Sequence, residues 1–279
     1  MRKLHAVLAA SLFAIGAAAN AANVLVVLSD ADHLDLKDGK VFATGFYLNE
    51  LTQPLKLLLD AGHEVTFATP LGRAPAVDKS SIDAMYFNGD AALLAQYQAL
   101  ADKLGITSSA RSPVISLARV EQIGYDHYDA VYIPGGHAPM QDLVRSKALG
   151  RLLTSFHERG KPTALVCHGP AALLAALQDP VASVGAMEQG GAPGKKGWIY
   201  AGYRMTVISN QEEEQAKAAL KGGVMRLLPQ TALEKAGASY SSNTAPWTAH
   251  VVSDRELITG QNPASALQVG QALLARLNK

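Results

Sequence analysis

Two spacings of apolar residues alternate along this chain. "NVLVVLSD" (23–30) is a nearly continuous run of Val and Leu, as in a parallel strand buried on both faces. Behind it, Leu48, Leu51, Leu55, Leu58 and Leu59 recur at helical spacing over 46–60, interrupted by Pro54 and stopped at Gly62. "EVTFATP" (64–70) predicts a second strand, and "AALLAQYQALADKLG" (91–105) a helix beyond an irregular stretch. "YDAVYIP" (128–134) and "KPTALVC" (161–167) predict strands three and four, with an amphipathic helix over 142–160 between them. "YRMTVIS" (203–209) predicts a fifth strand, followed by an acidic helix start, "NQEEEQ". Short strands at 239–242, 250–254 and 255–260 and a helix over 262–277 close the chain. Repeated βα units of this length imply an α/β fold, a doubly wound, mostly parallel sheet with helices on both faces. No repeat or linker divides the chain, so the pattern predicts one domain over 22–279 with an insertion around 71–113.

In such sheets ligands gather at the carboxyl ends of the strands. That rule brings "SD" after the first strand, "GGHAPM" after the third and "CHGPAAL" after the fourth into one region. Cys167 stands where a strand passes into a helix, and Gly169 permits the tight passage. A helix N-terminus favours the thiolate, which is the nucleophilic form, so the turn predicts a thiol of lowered pKa. Backbone amides there and at Gly135 and Gly136 are candidate donors to a developing oxyanion. His137 lies in the same turn, as a candidate either to bind substrate or to stabilise the turn. The remaining histidines show no paired spacing of a zinc site, so no essential metal and no cofactor are expected.

Composition narrows the setting. With 48% hydrophobic residues, 18% charged and a formal net charge of +1, the chain is an ordinary globular protein with no field to draw nucleic acid or an anionic membrane. At the N-terminus, Arg2 and Lys3 precede an apolar stretch (6–19) and the small residues Ala19-Asn20-Ala21, the order of a secretory leader cleaved after Ala21. The stretch falls short of the roughly 18–20 apolar residues of a membrane span. A periplasmic or secreted protein is therefore expected. Exported proteins usually pair their cysteines, yet this chain has one cysteine, so the thiol is intermolecular, inertly buried or chemically employed.

The segments "AVYIPGGHAPMQDL", "PTALVCHGPAALL" and "LITGQNPASA" resemble the ThiJ/PfpI superfamily, and within it the heat-shock chaperone and glyoxalase III subfamily. Ala138 replaces the second glycine of the usual "GGHG", while "VCHGP" is intact. The resemblance implies a flavodoxin-like fold with a class I glutamine-amidotransferase-like core. It also implies Cys167 as nucleophile, His168 as base, and Glu50 of "TGFYLNE" as the carboxylate beside the sulfur. The acid orienting His168 falls in "ISNQEEEQ", where alignment favours Glu213 with Glu212 and Glu214 open, and Asn210 stands where relatives often carry Asp. The implied activity is a glutathione-independent glyoxalase of D-lactate dehydratase type, acting on a small carbonyl substrate such as methylglyoxal. Alternatives within the superfamily are a stress chaperone with a redox-sensing thiol and a cysteine amidase or peptidase. A homodimer is implied by the resemblance alone.

Overall fold

The structure is a computed structural model describing residues 21–194 and 197–278. Of the expected leader, all but Ala21 lies outside the described residues. In chain order the strands are β1 (Asn23–Val27), β2 (His33–Asp35), β3 (Val41–Ala43), β4 (Glu64–Thr69), β5 (Ile115–Ser116), β6 (Ala130–Ile133), β7 (Thr163–Val166), β8 (Arg204–Met205), β9 (Ser239–Tyr240), β10 (Val251–Asp254) and β11 (Leu257–Gly260). The α-helices are α1 (Leu48–Asp60), α2 (Ala91–Leu104), α3 (Leu117–Ile123), α4 (Lys147–Glu158), α5 (Pro180–Glu188), α6 (Asn210–Ala216), α7 (Pro229–Ala236) and α8 (Ala266–Leu277).

Seven strands form the central sheet in the order β10-β11-β7-β6-β1-β4-β5, parallel except for β10. The α/β expectation holds. Residues 24–27 of β1 and all of β6, β7 and β11 are buried, so their apolar runs do not alternate. From β1 the chain winds one way through α1 to β4 and β5. It then returns to β6 on the other side of β1 and winds on through α4 to β7. The two directions part between β1 and β6, and a crevice opens at the carboxyl ends of such neighbours. α1 packs against α8, while α3 packs against α4.

One expected strand is displaced. Of residues 203–209 only β8 forms a strand, and it pairs with β9 outside the central sheet. The place beside β7 belongs to β11. Thr206, Val207 and Ile208 are nonetheless buried. The Thr206 amide donates to Thr259 Oγ1, and that of Ile208 to the Cys167 carbonyl at 3.0 Å. The apolar run reports burial truly, but a bent segment crossing the sheet's end buries such side chains as well as a strand would.

Candidate active site

The thiol stands on a strained turn. Cys167 has φ +61°, a left-handed conformation that costs a residue with a Cβ about 1–3 kcal/mol and that lifts the side chain off the end of a strand, as in a nucleophile elbow. Its amide donates to Gly260 O at 2.9 Å, tying the turn to β11. Residues Gly169–Ala176 then form tight 3₁₀ turns rather than the expected α-helix.

Cys167 Sγ lies 3.3 Å from His168 Nδ1, and His168 Nε2 lies 2.8 Å from Glu213 Oε1. With the Nε2 proton donated to the carboxylate, Nδ1 is free to accept from the thiol. The three consecutive glutamates sort by helix geometry. Ser209 caps α6 in a capping box with Glu212. Glu212 points away from His168 and accepts from the Ser209 and Trp247 amides, Gln261 Nε2 and Asn262 Nδ2. Glu214 is exposed and pairs with Lys217. Only Glu213 faces the imidazole. Burial raises the Glu213 carboxyl, but the charge and hydrogen bond of His168 outweigh it and leave the group below its ordinary value.

Glu50 meets the sulfur from the opposite side, in the first turn of α1. A helix dipole favours an ionised acid there by about 1 kcal/mol, less than one pKa unit. Burial wins: Glu50 is fully buried, its Oε1 has no partner, and desolvation pushes its pKa up to about 8 despite bonds to Cys167 and the Gly135 amide. Two features absent from the motif hold it. Pro54 has no N–H to offer the Glu50 carbonyl one turn back, and the Tyr132 hydroxyl of β6 donates to that carbonyl instead. Ser81 Oγ accepts from the Leu48 amide at 2.9 Å, and Asp78 binds Thr44 Oγ1 at 2.6 Å. The segment after β4 therefore pins the entry to α1, which no local pattern announced.

Two sequence expectations are corrected. The thiol's pKa is raised rather than lowered, first by burial and then by the neighbouring Glu50 and Glu213, with the His168 amide opposing them. The Gly135 amide is not free for an oxyanion, since it donates to Glu50 Oε2 at 2.8 Å. Gly135 is needed for close approach: a Cβ there would lie 2.7 Å from both Glu50 Oε2 and the His168 nitrogen. The amides of Gly136, at φ +81°, and His168 remain as candidate donors. Gly169 packs against β6, where a Cβ would sit 2.5 Å from Ile133 O.

His137 stacks obliquely on His168 with ring centroids 4.2 Å apart, and its buried Nδ1 has no partner. Burial, then the proximity of His168, lowers its pKa to about 4, so the ring is neutral. At the surface, Trp247 is 42% exposed and borders a cavity of about 440 Å³ with Asn49, Met85 and Tyr86. No helix among the described residues is long and apolar enough to cross a membrane.

Comparison with known proteins agrees with this architecture. The family described as ThiJ/PfpI family-like matches residues 42–192. A probable glutathione-independent glyoxalase, hsp3103, of Schizosaccharomyces pombe is 28% identical over 267 residues, covering 90% of this chain and 97% of that one. Protein/nucleic acid deglycase HchA of Staphylococcus aureus is 30% identical over 253 residues, covering 89% and 77%. The crystal structure of glyoxalase III from Candida albicans superposes with a TM-score of 0.67 at 24% identity, covering 91% and 96%, a likeness of fold.

Proposed function

Starting from a chain that belongs to the ThiJ/PfpI family, we propose that it is a glutathione-independent glyoxalase converting methylglyoxal or a related 2-oxoaldehyde to a 2-hydroxy acid. The observation that carries this reading is Glu50, a buried carboxyl protonated at neutral pH and bonded to the one thiol of the chain. A cysteine hydrolase needs a nucleophile, a base and oxyanion donors. Moving hydrogen between adjacent carbons needs a further proton carrier at the sulfur.

The steps balance with these groups. Cys167 Sγ adds to the aldehyde carbon as its proton passes to His168 Nδ1, and the Glu50 proton goes to the aldehyde oxygen, giving a hemithioacetal. The Glu50 carboxylate takes the proton from that carbon, and His168 returns its own to the ketone oxygen, giving an enediol. Glu50 then delivers its proton to the second carbon while His168 takes the hydroxyl proton from the first, leaving a thioester. Water, deprotonated by Glu50, cleaves the thioester, and the departing sulfur recovers its proton from His168. Glu213 holds the imidazole and stabilises its cationic form throughout. No glutathione enters, because the protein's own thiol makes the hemithioacetal.

Lactate formation from methylglyoxal without thiol additives, measured for wild type, Cys167→Ala and Glu50→Gln, tests the reading. Wild type should turn over, and both variants should lose activity. A wild type that makes no lactate rules it out. The D configuration of the product, and action outside the cytoplasm after removal of residues 1–21, belong to the same proposal. Chiral analysis of the lactate and N-terminal sequencing of the exported protein test them.

A further inference from the structure

His137, His168 and Glu213 reach the same point from three elements. His137 follows β6, His168 follows β7 and Glu213 lies on α6, yet each offers a ligand atom within 4.8 Å of the others'. Two imidazoles and a carboxylate form a set that zinc accepts, with bonds of about 2.0–2.2 Å. The cluster also contains a donor with nothing to do: the His137 ring is 93% buried, since its exposure is 7%, and its Nδ1 has no partner. Glu213 in addition borders a cavity of about 300 Å³.

We propose that this cluster is an inhibitory zinc site, in which the ion binds His137, the Nε2 face of His168 and Glu213 and disarms Cys167 by occupying its base. The sulfur lies at Nδ1, on the other side of the same ring, and is not a ligand. With the metal in place of the proton on Nε2, the imidazole tautomer that remains carries its proton on Nδ1. No lone pair then remains to accept from the thiol. The Glu213 carboxylate is also drawn from orienting the imidazole to binding the ion. Zinc is thereby an off-switch, distinct from any cofactor of the reaction.

The inhibition rests on the reading of His168 as base, whereas the binding does not, so the two are measured separately. Zinc is titrated into the full chain against a chromophoric chelator, and X-ray absorption reads the ligands. The expected result is one ion per chain with a first shell of nitrogen and oxygen, lacking a Zn–S distance near 2.3 Å. His137→Phe and Glu213→Gln should each weaken binding at least ~10-fold, about 1.4 kcal/mol, while Cys167→Ala changes it little. A zinc-dependent rise in Tm for wild type, absent from folded His137→Phe, provides a second measure. Wild type that holds no zinc, or binding lost with Cys167 and kept without His137, overturns the site. If zinc binds as expected but lactate formation persists in the saturated protein, the off-switch is overturned and the glyoxalase reading stands. If apo wild type makes no lactate, that reading fails and the site stands on its binding.

Discussion

Two histidine–glutamate pairs of equal length, one buried and one half-buried, sit at opposite ends of β7 and β11. At the carboxyl ends, His168 Nε2 meets Glu213 at 2.8 Å; near the amino ends, His157 Nδ1 meets Glu256 at 2.8 Å. The pairs differ in their third members. The Tyr203 hydroxyl reaches His157 and both Glu256 oxygens, and the Arg255 guanidinium lies over the Tyr203 ring. At the other end the third member is a thiol on a left-handed residue, beside Glu50 and His137, each with an orphaned polar atom. A satisfied network adds stability, whereas strain and unmet hydrogen-bonding capacity are what a site keeps for its substrate.

Breaking the comparison at its chemical centre should give the largest effect. Cys167→Ala should lower lactate formation by ~10⁴-fold or more, while Tyr203→Phe leaves steady-state turnover unchanged. The two acids come next. Glu213→Gln should cost about 10²–10⁴ in kcat, whereas Glu256→Gln should keep kcat but lose about 2 kcal/mol of stability in urea, because His157 and Tyr203 lose their acceptor. Equal kinetic losses in the two variants would erase the distinction drawn here.

Glu50 links the comparison to pH. Its folded pKa, about 8, lies above the ordinary value of 4.5, so the folded protein holds this proton more tightly than the unfolded chain. Its stabilising protonated form is fully present below about pH 4.5 and is lost as pH rises through about 8. Glu50→Gln should therefore be more stable than wild type above pH 8, by on the order of a few kcal/mol, with the gain shrinking toward pH 5. Chemical denaturation across that range reads it, and a constant difference would mean that Glu50 is ionised throughout. The wild-type rate should fall as pH rises through about 8, since the addition step uses the acid form. Smallest of all, Tyr132→Phe should cost about 1 kcal/mol by uncovering the Glu50 carbonyl, with kcat falling because α1 loses its tie to β6.

How much of this was legible varied by element. β1, β6 and β7 were readable as apolar runs because buried parallel strands leave that trace. Residues 203–209 misled because burial and sheet pairing are separate properties, and the pattern reports only the first. Cys167 and His168 stood out because one local turn presents both. The choice of Glu213 needed the rotation of α6 set by the Ser209 cap, which directs Glu212 into a polar hub and Glu214 to solvent. Tyr132, Ser81 and Asp78 carry no motif; their roles arise from contacts with residues at least 33 positions away in sequence.

The sequence by itself determined the α/β class, the lone thiol at a strand's end and the residue types available around it, because these follow from local periodicity and chain order. Only the tertiary structure decided the protonation state of those residues. A thiol at the start of a helix is expected to ionise easily, yet Cys167 is buried near Glu50 and Glu213 and its pKa is raised. An acid in the first turn of a helix is expected to be charged, yet Glu50 is fully buried and holds its proton to about pH 8. Dipoles act through the nearest turn, whereas desolvation depends on everything packed around the group, and here it is the larger effect.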